Sequence, residues 1–361
     1  MIQMTTKKSE STLVGLEIEA GSVAAAEIRT NGTPKLLATA IAPLGTDVFH
    51  EGEVTDPDAL AEALRQLFAE HKLSRRVRLG IANQWVVVRT LRLPAIEDPT
   101  ELETAVRFQA QEQIPMPLDQ AILDHRVVGG APPEEGAPPK IDVVVVAARR
   151  DMIASLLKPL RSAGLDPIGV DLSAFGLIRA LGGSAPAAQP AGEAAQVHTA
   201  TLYCHLGDVS NLAVAKGRSC LFTRVSPVGL EGFGEELSAS TGAAPEHSRM
   251  WLSHVGLGAP VSEIEGDPNI VAAARSTLEL GASSLLDEIR LSLDFYGAQE
   301  GAVPVDRVVL CGPGSVIGGL AEEMQSVLGI PIEVGRPEAL SGLDQAQAAR
   351  LTLSYGLALE R

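Results

Sequence analysis

The sequence predicts an α/β protein made of two related halves, each a sheet covered by helices. Three observations carry this expectation. Each half opens on a meander of three apolar strands, at residues 13–41 and 200–227. Each also holds a strand–helix–strand unit, "IDVVVVAARRDMIASLLKPLRSAGLDPIGVDL" in the first and "DRVVLCGPGSVIGGLAEEMQSVLGIPIEV" in the second. The length, 361 residues, exceeds what one small core requires.

Taken in chain order, the first two strands are expected at 13–18 and 22–29, folded about a bend at Glu19, Ala20 and Gly21. Asn31-Gly32 is a hairpin signal and leads to a third strand at 34–41. A helix is expected over 56–71, because Leu60, Ala63, Leu64, Leu67 and Phe68 recur at helical spacing and Pro57 suits a first turn. Residues 74–140 read as a small α+β subdomain inserted into the first half. It would hold strands near 77–81 and 86–93, a helix over 100–113 and a strand over 121–128. Thr100 with Glu103 forms a capping-box pattern at the start of that helix. Two stretches without periodicity, "GGAPPEEGAPPK" and "GGSAPAAQPAGEAAQ", read as exposed loops. In the second half, "ATLYCHLGD", "SNLAVAKG" and "RSCLFTRVSP" repeat the meander, and helical regions follow at 231–257 and 269–296. The expected organisation is a polar tail at 1–11, a first domain at 12–73 and 141–195, the insert at 74–140, and a second domain at 196–361 whose last helix packs back on the first.

Composition narrows the function classes. Hydrophobic residues make up 45% of the chain and aromatics only 3%, so the core must be built from Ala, Val, Leu and Ile. The formal net charge is −16, which repels nucleic acid and anionic lipid, and Arg75 with Arg76 makes no basic patch. No apolar run approaches the roughly 20 residues that span a bilayer. The start, "MIQMTTKKSE", has no apolar signal core, so a cytoplasmic protein without direct membrane insertion is expected. Cys204, Cys220 and Cys311 form no CxxC pair and indicate neither a disulfide framework nor a metal site. The histidines are scattered away from nucleophiles, and no catalytic constellation stands out.

At this point the residues resemble a family. Duplicated halves with glycine-turn hairpins are the plan of the actin-like ATPase superfamily, with ribonuclease H-like domains, and an insert in the first half resembles FtsA and PilM. The run "LRLPAIEDPTELETAVRFQAQEQIPMP", with "VGLEIEAGSVAAAEI", "LLDEIRLSLDFYGAQ" and "SYGLALE", is most similar to the PilM family of type IV pilus assembly proteins. The resemblance implies an SHS2-like insert and a nucleotide cleft between the halves. Its phosphate loops would use Gly15, Glu17, Glu19, Gly21 and Ser22 in the first hairpin, and His205 and Gly207 in the second. Its adenosine turn would use Gly312, Gly314 and Ser315.

Against the family pattern, near "DIGSSSVK", Glu17 stands for Asp, Glu19 for Gly and Ala24 for Lys. His205 stands for the second Asp, and Pro313 for the middle glycine of the adenosine turn. A carboxylate about 4 Å from a phosphate charge costs roughly 4 kcal/mol at an effective dielectric of 20, about three decades of affinity. The hairpin thus has the architecture of a phosphate loop with charges that oppose phosphate. Mg–ATP, weakly bound, is the only cofactor these loops leave open.

The resemblance also implies a partner. In that family the cytoplasmic N-terminal segment of the membrane protein PilN lies in a groove between the insert and the first domain. The matching wall here would include Leu93, Phe108, Gln111, Ile114 and Pro115, with apolar pockets and amides suited to an extended peptide. The expected function is a scaffold at the inner face of the cell membrane. It would dock a PilN-like protein, contact other pilus platform proteins and have the option of self-association. The alternatives are a working actin-like ATPase or an FtsA-like division protein. The FtsA-like reading is disfavoured because "GLALER" forms no amphipathic membrane-targeting helix.

Overall fold

A computed structural model describes residues 12–45, 47–130, 139–182, 199–299 and 301–359. The polar tail and most of both predicted exposed loops lie outside the described residues. The meander of the first half forms β1 (Thr12–Glu19), β2 (Ser22–Arg29) and β3 (Lys35–Pro43), followed by two short strands, β4 (Phe49–His50) and β5 (Glu53–Val54). Helix α1 (Pro57–Glu70) starts where Asp56 accepts from the backbone N–H groups of Asp58 and Ala59. Strand β6 (Arg76–Ile81) then runs parallel to β1.

The insert follows as β7 (Val87–Pro94), α2 (Pro99–Gln113), β8 (Ala121–Gly130) and β9 (Lys140–Arg149). Asp98, one residue before the helix, caps α2 through the N–H groups of Thr100 and Glu101, in place of the expected Thr100 cap. The first half closes with α3 (Arg150–Ser162), β10 (Asp166–Leu172) and α4 (Ser173–Leu181). The second half runs β11 (Ala200–Leu206), β12 (Ser210–Lys216), β13 (Ser219–Ser226), α5 (Leu230–Thr241), α6 (Pro245–Val255), α7 (Pro268–Gly297), β14 (Val305–Cys311), α8 (Leu320–Leu328), β15 (Ile332–Val334) and α9 (Gln345–Ala358). The single helical region expected over 231–257 is split at Gly242, whose φ of 73° closes α5 in the left-handed conformation.

The duplication is visible in strand order. The first sheet reads β3-β2-β1-β6-β10 and the second β13-β12-β11-β14-β15. In both, the meander is antiparallel and the two outer strands are parallel to its first strand. Two strands depart from the expected bounds of the insert, 74–140. Residues 76–81 belong to the first sheet, and β9 is the middle strand of the three-stranded sheet β7-β9-β8. The reason is burial on both faces. Val143, Val145 and Ala147 pack under α2, while Val144, Val146 and Ala148 face the first domain, so "VVVVAA" reads like a parallel core strand.

Helix α9 returns from the second domain to the first. Ala24 of β2 packs against its Ala348 and Leu351. Arg78 of β6 donates to the carbonyls of Leu357 and Leu359 at 3.0 and 2.8 Å. The crossing of α9 over α4 is close enough that a Cβ on Gly356 would strike the carbonyl of Gly176. Backbone cannot move aside as a side chain can, so Gly356→Ala is expected to cost about 1–3 kcal/mol, read as a lower urea midpoint. Among the described residues no helix is long and apolar enough to cross a membrane.

Candidate functional site

Two concave features lie where the domains meet. The first is the cleft between the two sheets. Strand alternation places its residues: Leu16 and Ile18 enter the first core, so Glu17 and Glu19 point to the opposite face, toward the second domain. Likewise Cys204 and Leu206 enter the second core, and His205 faces the cleft. The structure thus brings together Glu17, Glu19 and His205, with Asp208 from the β11–β12 turn.

Their environment is buried. Glu17 is 6% exposed, His205 3% and Asp208 8%. Nε2 of His205 lies 3.4 Å from Oε1 of Glu17, beyond ordinary hydrogen-bond length. Burial pushes the Glu17 carboxyl well above the usual carboxylate range, and the charge of Glu19 raises it further. Burial and then Glu19 act the same way on Asp208, against a lowering pull from Arg249. Burial pushes the His205 imidazole down, against a raising pull from Glu19.

Arg249 of α6, which no local motif marked, reaches across the cleft. It lies 3.3 Å from Asp208 and donates to the carbonyl of Ala20 in the first bend. Gly21 of that bend has φ 85°, and a Cβ there would meet the guanidinium at 2.7 Å. Ser22 is buried in the β2 strand opposite Pro43. Gly15 packs against α9, where a Cβ would strike the backbone of Ser354. Gly312, with φ 82°, seats the imidazole of His205, and a Cβ there would meet its Cδ2 at 2.7 Å. Gly314 packs on Leu206, and the hydroxyl of Ser315 donates back to the Gly312 carbonyl at 2.7 Å.

This lining does not fit a triphosphate. The Glu19 carboxylate presses on Gly207, where an added Cβ would collide with it, so the two loops close on each other. The remaining cavity is about 40 Å³, enough for a few waters and far below the roughly 300–1,000 Å³ of sites for drug-sized ligands. The guanidinium that reaches across it, Arg249, is already engaged. Ala24, where the resemblance expects lysine, is sealed beneath Leu340 and Ala348.

A latch at the mouth joins the domains. Nδ1 of His50, on β4, lies 2.8 Å from Oε1 of Glu231, on α5. The hydrogen bond to Glu231 raises the His50 pKa. The stabilisation is therefore complete below the ordinary histidine value near 6.5 and is lost as pH rises through the raised folded-state value. Melting temperature should fall slightly more across that window for the wild type than for His50→Gln, a small effect because His50 is half exposed.

The second feature is a groove of about 620 Å³ between the inserted sheet and the first domain. Val144, Val146 and Ala148 of β9 and Ile122 of β8 form one wall, and Phe175 and Ile178 of α4 form the other. Asp124, Arg126, Asp171, Arg179 and Arg218 add charge of both signs. β8 and β10 are edge strands of their sheets and both contribute to the lining.

The wall that the resemblance implies lies on the other face of this sheet. Leu93 and Ile114 are buried in the insert's own core with Val106 and Ala110, so they present nothing to a partner. Phe108 and Gln111 on α2, and Pro115 just after it, are exposed and absent from the groove lining. The sequence signal for the groove itself is the double apolar face of "VVVVAA", of which α2 covers only one side.

A family model, Type IV pilus assembly protein PilM, matches residues 15–257. Among solved structures, the chain is similar to one from a PilM-PilN type IV pilus biogenesis complex, with 26% identity, a TM-score of 0.78, and coverage of 97% of this chain and 98% of that one. It is also similar in fold to the ethanolamine utilization protein EutJ from Carboxydothermus hydrogenoformans, at 14% identity and TM-score 0.51, over 97% of this chain and 89% of that one. A diol dehydratase-reactivating factor in nucleotide free form matches at 9% identity and TM-score 0.50, over 96% and 98% of the two chains. With its doubled sheets, its inserted subdomain and a family match over most of its length, the chain belongs to the PilM family of type IV pilus assembly proteins and has the actin-like fold.

Proposed function

We propose that this chain is a scaffold subunit of a type IV pilus assembly platform that docks the N-terminal cytoplasmic segment of a PilN-like membrane protein. The observation that carries this reading is the groove between the inserted sheet and the first domain. An extended peptide needs apolar pockets for alternate side chains and an exposed strand edge for its backbone, and the groove offers both. Likeness over nearly the whole chain to a structure from a PilM-PilN complex supports the choice of partner.

On this reading the protein works at the cytoplasmic face of the inner membrane, held there through its partner. The interdomain cleft is a remnant of a nucleotide site that binds Mg–ATP weakly at most, and docking does not depend on hydrolysis. The test is calorimetric titration with a synthetic peptide spanning the N-terminal cytoplasmic segment of the cognate PilN-like protein. Saturable one-to-one binding is expected, and no binding at millimolar peptide would contradict the assignment.

A further inference from the structure

The geometry points to a use of the interdomain cleft that is independent of the docking groove: a direct binding site for one divalent cation of the Zn²⁺ type, held by Glu17 and Glu19 of β1 and by His205 of β11, which ties the two domains together. One donor atom from each of these residues lies within 4.8 Å of the others. The Glu17–His205 separation of 3.4 Å is long for a hydrogen bond. It equals the edge of a tetrahedron whose ligands stand about 2.1 Å from a central ion. Oε1 of Glu17 and Nε2 of His205 have no hydrogen-bond partner although both residues are more than nine-tenths buried. Oδ2 of Asp208, in the same lining, also lacks a hydrogen-bond partner, but Asp208 stands outside the group of three donors that lie within 4.8 Å of one another.

An unpaired buried carboxylate is costly unless it is neutralised or coordinates a metal. The charged groups facing the cluster are Arg249, which pairs with Asp208, and Arg350, whose charge acts on Glu17. Glu17, Glu19 and Asp208 put three acidic side chains in the lining against these two cations, and Glu231 acts on Asp208 as well, so acidic groups are in excess. The same excess that opposes phosphate favours a metal ion.

Ligand chemistry selects the ion. One imidazole with carboxylates suits Zn²⁺ among common divalent cations. Mg²⁺ favours an octahedron of oxygens and Ca²⁺ takes six to eight of them, whereas this cluster offers one imidazole nitrogen and two carboxylates. The imidazole is also held in place, since Gly312 packs against it where any side chain would collide. Glu19 is only partly buried and gives the ion a way in. Because Glu17 and Glu19 come from the first domain and His205 from the second, the cation would do the domain-closing work usually left to a nucleotide.

The experiment uses the full chain stripped with EDTA and titrated with Zn²⁺ or Mg²⁺, followed by calorimetry and by melting temperature. One Zn²⁺ per chain and a higher melting temperature are expected, with no comparable response to Mg²⁺. Loss of outer-shell partners alone lowers metal affinity about 10–100-fold, so Glu19→Gln and His205→Gln should each weaken Zn²⁺ binding by about 100-fold or more. His50→Gln, which breaks the other His–carboxylate cluster at His50, Glu231 and Glu235, should leave binding unchanged. Absence of stoichiometric Zn²⁺ binding by the folded wild type overturns the site. So does Zn²⁺ binding that survives Glu19→Gln, a substitution at a partly exposed position that keeps the test valid if His205→Gln fails to fold. Loss of binding in His50→Gln, or an equal response to Mg²⁺, also overturns it.

Discussion

Arg179→Leu is expected to destabilise the protein by about 3–5 kcal/mol, the range for stranding one member of a buried ion pair. Arg179 of α4 donates to Asp171 of β10 at 2.7 Å, with side chains 7% and 1% exposed. Its Nε also donates to the carbonyl of Gly356 in α9 at 3.0 Å. One guanidinium therefore joins a strand of the first sheet, the helix that follows it and the helix that returns from the second domain. Leucine fills much of the space but removes the guanidinium that pairs with the buried Asp171 carboxylate. Chemical denaturation should show a lower midpoint with little change in slope, and melting temperature should fall by about 10 °C. The double variant Asp171→Asn/Arg179→Leu should recover part of the loss, because it also removes the buried charge that the guanidinium neutralised. If the single variant is as stable as the wild type, the pair is not a structural tie between the domains.

Ile122→Arg is expected to weaken binding of the partner peptide by about 100-fold or more while leaving stability nearly unchanged. Ile122 sits on the edge strand β8 at the groove and is 38% exposed, so a longer charged side chain has solvent to reach in the free protein. In the complex the same side chain would occupy an apolar pocket and bury its charge, and losses of about 2 kcal/mol or more are usual at such anchors. Phe108→Ala serves as the contrast. Phe108 is 69% exposed on the opposite side of the inserted sheet, and its removal should leave peptide affinity unchanged. The reverse pattern, with Phe108→Ala disruptive and Ile122→Arg silent, would move the docking surface to α2.

Much of the architecture was legible because local chemistry and tertiary role agreed. The two meanders announce themselves through short apolar strands and small residues at their bends. Period-two alternation then turns Glu17 and Glu19 away from the first core and His205 away from the second, and the structure gathers them in the cleft. What escaped was set by contacts between distant elements. The β9 run is buried on both sides, and no single-strand pattern says whether its cover is a large sheet or a small helix. Leu93 and Ile114 carry the apolar character of a binding wall, but α2 uses that character for its own core. Arg249 and Glu231 lie on helices without a motif and reach the cleft only because the second domain folds onto the first.

The central claim is that this actin-like cleft no longer serves a nucleotide and that docking is the function left to the fold. Thermal unfolding of the purified chain in millimolar MgATP, against the same concentration of MgCl₂, tests it most directly. A micromolar site would be about 1,000-fold saturated and would add about 4 kcal/mol of stability by mass action. The account predicts superimposable melting curves; a clear rise in melting temperature with MgATP would contradict it.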